Sequence, residues 1–117
     1  MADWEWYILN DKNQAVPVDA KTWGHWFQAA TRSRRRIVAQ EVIGDFYSIS
    51  TVFIGLDHGF RGRPLLFETM IFVPDEEDDK RMEDIWMERC GTWSEAEDVH
   101  ERAVEYAQKL LEELPVI

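Results

Sequence analysis

Two apolar runs joined by a short polar segment constrain the fold of this chain more than any other feature. Residues 46–56 and 65–73 are rich in aromatic and β-branched side chains, a composition that favours strands. The segment between them, 57–64, contains two glycines and a proline, which is typical of a turn. The sequence therefore predicts an antiparallel β-hairpin at the centre of a sheet.

The rest of the pattern predicts further strands and two helices around that hairpin. Thr92-Trp93-Ser94-Glu95 has the form of a capping box, and apolar residues then recur at helical spacing to position 114. Residues 81–90 fit either a helix or a strand, and we predict a strand over 85–89. The other predicted elements are a hairpin within 3–18, a short helix over 20–31 and a strand over Ile37–Ile43.

No strand–helix–strand repetition is present, so the chain is predicted to belong to the α+β class. We expect an antiparallel sheet of five to six strands, with the short helix after the N-terminal hairpin. The long C-terminal helix is expected to pack on the sheet. A length of 117 residues corresponds to a single domain.

Composition narrows the cellular setting. Cys90 is the single cysteine, so no internal disulfide forms and no oxidising compartment is implied. No cysteine–histidine spacing indicates zinc, and no metal ligand or cofactor is predicted. The first residues do not resemble a signal peptide, and no apolar run has membrane-spanning length. We expect a soluble protein of the cytoplasm with no membrane association.

The net charge of −10 is unevenly distributed. Eight acidic and eight basic residues cancel within 1–72, whereas 73–117 holds fifteen acidic and five basic residues. This excess argues against direct nucleic-acid binding, which depends on neutralising phosphates. It leaves open an acidic mimic of nucleic acid or a binder of basic protein surfaces. The partner-binding candidates are the consecutive acidic residues Asp75, Glu76, Glu77, Asp78 and Asp79.

The tip of the central hairpin supplies the ligand-binding candidates. A turn centred between residues 60 and 61 would pair Phe53 with Glu68 and put that carboxylate among apolar neighbours, a placement conditional on the register. Gly55 would leave a gap beside it that admits a ligand or another backbone. In such a pocket the carboxylates would accept hydrogen bonds from a ligand and the arginines would donate them. The alternative is that Glu68 forms an ion pair that only stabilises the sheet. The candidates are Asp57, His58, Glu68, Arg61, Arg63 and Arg35.

The same hairpin allows a second chemical interpretation. Asp57, His58 and Glu68 are residue types that a small metal-dependent hydrolase uses. Adjacent residues of a strand point to opposite faces, so Asp57 and His58 do not chelate a metal by themselves. The sequence shows no recognised metal-ligand spacing, and no catalytic residue is assigned. His25 is expected to face solvent, and His100 to lie near the edge of the apolar stripe of the C-terminal helix.

The stretch over 50–70 reads STVFIGLDHGF…PLLFETM, and Thr92-Trp93-Ser94-Glu95-Ala96-Glu97 and His100 follow downstream. This combination resembles a family of small uncharacterised proteins encoded by tailed bacteriophages and prophages. Their pattern is STVFLGLDHxF, a Gly/Pro turn, PLLFETMVF, a short acidic insert and a TWEEA-type helix start. The chain departs from this pattern at Arg61-Gly62-Arg63 and in the length of its acidic insert.

The resemblance implies a phage accessory protein of the host bacterial cytoplasm. Such a protein is expected to act by binding or sequestering a ligand or partner, for example as a host-directed or anti-defence factor, and not by catalysis. The possible partners are an anionic small molecule or a host protein. The alternatives are an acidic, nucleic-acid-mimicking inhibitor of a host DNA-binding protein and the small hydrolase. Six tryptophans and the predicted edge strands lead us to expect a homodimer.

Overall fold

A computed structural model describes residues 6–57, 62–78 and 80–114 and confirms the α+β prediction. All strand pairs are antiparallel; β1 and β2 form a two-stranded sheet, and β3-β4-β5-β6 form a four-stranded sheet in that order. The elements are β1 (Trp6–Leu9), β2 (Ala15–Val18), α1 (Ala20–Arg32), β3 (Ile37–Ile43), β4 (Tyr47–Phe53), β5 (Phe67–Pro74), β6 (Met82–Cys90) and α2 (Trp93–Glu112).

The N-terminal hairpin and α1 form one end of the molecule. The Asp19 carboxylate accepts a hydrogen bond from the Thr22 amide at 2.7 Å, which is the N-cap that starts α1. Trp23 then contacts the rings of Trp6 and Phe27, with centroids 5.0 and 4.5 Å apart. Because a helix of this length is marginal in isolation, these aromatic contacts hold it in place.

The four-stranded sheet is covered on one face by α2. Tyr47, Ile49 and Phe53 alternate along β4 and are almost fully buried. Opposite them, α2 presents alanines that include Ala103 and Ala107, both without exposed surface. Small side chains let the helix approach the strands closely, so the core lies between α2 and this covered face.

The opposite face of the sheet is called the open face here. The strand register places on it Val42, Ser50, Met70, Phe72 and Met87. Within the described parts of the chain, α2 packs against the other side of the sheet and α1 packs against β1. The open face is therefore not covered by any described helix.

The expected hairpin register is wrong by one residue. Phe53 pairs with Phe67, and Glu68 lies opposite Val52. Strand pairing stops at Phe53, because the next amides, those of Ile54 and Gly55, both donate to the carbonyl of Leu66. With this register the apolar residues of β4 and β5 share the covered face, which is the arrangement that buries most apolar area.

Residues 81–90 form a strand, as predicted, and that strand is longer than expected. β6 spans Met82–Cys90 and pairs with β5 through a bulge near Phe72. Trp86 lies opposite Ile71, and its ring stacks on that of Tyr106 of α2 with the centroids 6.5 Å apart. In the described part of the chain, no helix has both the length and the apolarity needed to cross a membrane.

Candidate functional site

A groove with polar and apolar walls lies at the start of α2 and is called the Trp93 groove here. It holds about 620 Å³ and lies between the N-terminal hairpin, the segment before β5 and the first turn of α2. Its lining residues include Tyr7, Lys12, Gln14, Arg63, Trp93 and Ser94. Three segments that are distant in sequence therefore build one concavity, which is the usual setting of a ligand site.

Arg63 forms one wall of the groove through a two-pronged ion pair. Its guanidinium donates to both carboxylate oxygens of Glu95, at 2.8 and 2.5 Å. This hydrogen bond holds the pKa of the Glu95 carboxyl below its usual range, and it raises the pKa of Arg63. In the described part of the chain, Glu95 takes two of the five guanidinium donors, so the pair fixes the geometry of Arg63 without using all its donors.

The predicted capping box sets the position of that carboxylate. The Thr92 hydroxyl accepts from the Glu95 amide at 3.1 Å, as predicted. The Glu95 side chain takes the Thr92 hydroxyl and Arg63 as partners. The cap of α2 and the groove wall are thus one connected structure.

Arg35 lies against Trp93, which lines the groove. Its guanidinium carbon lies 5.9 Å from the centroid of the indole ring, within the range of a cation–π contact. One of its nitrogens donates to the carbonyl of Asn10 at 2.8 Å, which ties the N-terminal hairpin to this site. Two of the predicted arginines, Arg35 and Arg63, therefore lie at one tryptophan.

Tyr7 lines the groove, and the pKa of its phenol is raised, first by burial and then by the negative charge of Asp57. Of the candidates predicted from the sequence, Arg63 lines the Trp93 groove and Arg35 lies against Trp93. The sequence did not predict this groove, because its lining residues Lys12 and Trp93 are far in the sequence from the central hairpin.

Of the two occupants considered for the gap at Gly55, a ligand or another backbone, the structure has the backbone. Gly55 has φ +73°, and a Cβ atom there would lie 2.3 Å from the carbonyl oxygen of Tyr7 and 2.8 Å from the indole nitrogen of Trp23. The Tyr7 amide also donates to the Gly55 carbonyl at 2.8 Å. The missing side chain therefore admits the backbone of the N-terminal hairpin and leaves no room for a ligand.

Glu68 lies away from the groove, on the open face. Arg89 of β6 pairs with it, at 3.0 Å from Nε and 2.9 Å from Nη2. Both side chains are largely buried, with 18% and 27% of their surfaces exposed. The expected placement of Glu68 among Phe53 and its apolar neighbours is wrong, because the one-residue change of register turns it to the other face.

The remaining candidates fall in two groups. His58, Arg61 and Asp79 lie outside the described residues. The acidic segment after β5 makes turns of its own, since Asp75 accepts from the Glu77 amide at 2.9 Å and Asp78 accepts from the Lys80 amide at 3.0 Å. Among the described residues, no three His, Cys, Asp or Glu side chains are grouped so as to hold a metal ion.

A buried polar chain crosses the core beneath α2, and the sequence did not predict it. Thr51 is 2.7 Å from both the Thr69 hydroxyl and His100 Nδ1, and His100 Nε2 is 2.9 Å from Glu41. Thr51 and Thr69 are almost fully buried, so neither hydroxyl is within reach of a substrate. These hydrogen bonds join three strands to α2. The signal for it was the pair of threonines on the apolar side of both central strands.

Comparisons with known proteins return no relatives. No protein-family model, no curated protein and no solved structure matches the chain.

Proposed function

We propose that this protein is a bacteriophage accessory protein that acts by binding a small anionic ligand in the host bacterial cytoplasm. The phage setting is supported by the sequence resemblance over 50–70 and the start of α2. In that setting, sequestering the ligand would make the protein a host-directed or anti-defence factor. Binding at the Trp93 groove is the chemical core of the proposal.

The observation that carries the proposal is the grouping of cations at this groove. Lys12 and Arg63 line it, and Arg35 lies against Trp93. The whole chain carries a net charge of −10, whereas at this groove the three cations meet the lining carboxylate of Glu97 and the Glu95 carboxylate that pairs with Arg63, which leaves one positive charge in excess. Guanidinium groups bind phosphate in two-pronged geometry, and an indole ring stacks on a nucleobase. A nucleotide is the ligand class that uses both features.

The test is a melting-temperature assay on the full chain with AMP, ATP and cyclic AMP, and adenosine as the uncharged comparison. A ligand that binds the native state raises the melting temperature, so the nucleotides should raise it and adenosine should raise it less. Arg63→Gln should abolish the shift.

A matched control removes the same kind of ion pair elsewhere. Arg102 pairs with Glu88 at 2.5 Å, and its side chain is 58% exposed, against 61% for Arg63. Arg102→Gln should therefore lower the melting temperature of the free protein as Arg63→Gln does, and it should keep the nucleotide shift. No shift with any nucleotide, or equal loss in both variants, would overturn the proposal.

The acidic decoy is a second candidate, favoured by a regular row of carboxylates. Glu97, Glu101 and Glu105 are exposed on α2 and recur every four residues, which spaces them about 6 Å apart along the helix. A decoy would displace DNA from a basic host protein in a salt-sensitive manner. Changing Glu101 and Glu105 to glutamine should weaken displacement and leave nucleotide binding intact, because neither residue lines the Trp93 groove.

The hydrolase alternative needs Asp57, His58 and Glu68 to act together. Glu68 is held by Arg89 on the open face. A carboxylate in such an ion pair is not available as a base or a metal ligand, and this observation favours binding over the hydrolase alternative. Self-association of the chain is proposed separately from the ligand groove.

A further inference from the structure

The open face displays apolar side chains that a monomer leaves in water. Val42, Met82 and Met87 expose 61%, 49% and 49% of their surfaces. They lie on β3 and β6, and the half-buried Met70 and Phe72 lie between them on β5. A contiguous apolar patch of this kind marks an interaction surface in a soluble protein.

Two pairs of polar side chains on the open face are bonded to each other. Gln40 donates to the Ser50 hydroxyl at 3.1 Å, and Glu68 is held by Arg89. Burying these groups under a partner leaves their hydrogen bonds in place, so the cost of removing them from water is small. Asp84 at the margin, opposite Phe72, is the one further charge that the register puts on this face among the described residues.

Charge favours a second copy of this chain as the occupant. The exposed carboxylates of α2 and of the segment after β5 would repel another molecule of charge −10. On the open face the charges of Glu68 and Arg89 cancel. At the margins Asp84 on β6 and Arg34, which donates to Gln40 of β3, carry opposite charges. The face therefore has no net charge, and two copies related by a two-fold axis can meet there.

The area of the open face sets the size of the dimer interface that it can form. Four strands of about seven residues span roughly 19 by 23 Å, or about 440 Å² in projection, before side-chain relief is added. A standard interface takes roughly 800 Å² of accessible surface from each partner. The open face therefore suits a dimer at the small end of the range, which forms at micromolar or higher concentration.

We propose that two copies pack their open faces against each other around a two-fold axis, as the two layers of a β-sandwich. The inference rests on the self-association proposed above and is independent of the ligand groove. The two faces of the sheet then have different roles. The covered face packs against α2 within the monomer, and the open face packs against the open face of a second copy.

The test is sedimentation velocity on the full chain between micromolar and hundred-micromolar concentration. The wild type should sediment as a dimer at the upper end. Val42→Glu and Met87→Glu, made separately, each put two unpaired charges into the interface and should weaken dimerisation by about 100-fold. Leu114→Glu is the matched control, because Leu114 is 46% exposed and lies beyond the end of α2; this variant should dimerise like the wild type.

Far-UV circular dichroism of the monomeric variants should match the wild type, since both positions are exposed. A wild type that stays monomeric throughout the range would overturn self-association itself. A dimer that persists in both glutamate variants would retain self-association and overturn the assignment to the open face. If both glutamate variants unfold, the Ser50→Lys variant decides, because Ser50 lies at the centre of the open face. A Ser50→Lys protein that dimerises as strongly as the wild type would refute the interface.

Discussion

The two faces of the four-stranded sheet are built from the same strands and differ in what covers them. On the covered face, Phe53, Ile71 and Thr51 have no exposed surface. On the open face, one residue away along the strands, side chains remain half-buried or exposed. The alternation of a strand therefore divides this chain into a face that folds the monomer and a face available to a partner.

The largest effect should come from truncating the covered face. Phe53→Ala removes a fully buried ring in contact with Phe67 and Trp26, and we expect a loss of about 3–5 kcal/mol in the free energy of unfolding. Its neighbour Val52 lies on the open face, and Val52→Ala should cost about 1 kcal/mol. Urea unfolding at a concentration where the protein is monomeric measures both. Equal losses would contradict the division between the faces.

The end of β4 is a sharper test of how the N-terminal hairpin docks. Gly55→Ala forces a Cβ atom into the carbonyl of Tyr7 at a positive φ, and the free energy of unfolding should fall by about 3 kcal/mol. Gly62 also has a positive φ, with no atom within 4 Å of its added Cβ. Gly62→Ala should therefore cost only about 1 kcal/mol. Thermal unfolding of the two variants compares them, and an equal cost would mean that the hairpin yields at Gly55.

A smaller effect is expected from the buried polar chain. Thr51→Val keeps the shape of the side chain and removes the partner of Thr69 and His100, so the free energy of unfolding should fall by about 2 kcal/mol. Ser50, the next residue, faces the other way and bonds Gln40 at the surface. Ser50→Ala should cost about 0.5 kcal/mol in the monomer. If Thr51→Val has the same free energy of unfolding as the wild type, the buried hydrogen bonds contribute nothing to the docking of α2.

The pH dependence contributed by Cys90 has no effect at neutral pH and becomes visible only above pH 9. Burial, followed by the charges of Glu95 and Glu88, raises the pKa of this thiol from 9.0 to about 11. Because the folded protein holds the proton more tightly, this stabilisation is complete below pH 9 and is lost as the pH rises to about 11. The wild type should therefore lose more stability than Cys90→Ala across that interval. If the free energy of unfolding changes with pH by the same amount in both proteins, the raised pKa of Cys90 is refuted.

Local sequence rules predicted the elements well. The apolar run that forms β4 and the helix start at Thr92 are each readable within a few residues, and both are confirmed. The Glu95 amide donates to the Thr92 hydroxyl as in a capping box, whereas the Glu95 side chain accepts from that hydroxyl and not from the Thr92 amide. The strand over 82–90 was predicted short, because the register bulge near Phe72 breaks its alternation.

Long-range pairing could not be predicted in the same way. The hairpin register depends on where Gly55 turns the chain, which the docking of Tyr7 decides. The Trp93 groove assembles from three segments, and the Thr51–His100 contact joins residues that are 49 positions apart. The types of candidate residue were visible in the sequence, whereas their grouping depended on contacts between distant segments.

The most direct test of the account is the melting temperature measured as a function of protein concentration. If the open face binds a second copy, association stabilises the native state and the melting temperature of the wild type rises with concentration. In Met87→Glu the melting temperature should be the same at every concentration and equal to that of the dilute wild type. A wild-type melting temperature that does not change with concentration would contradict the claim that one face of the sheet folds the chain and the other joins two chains.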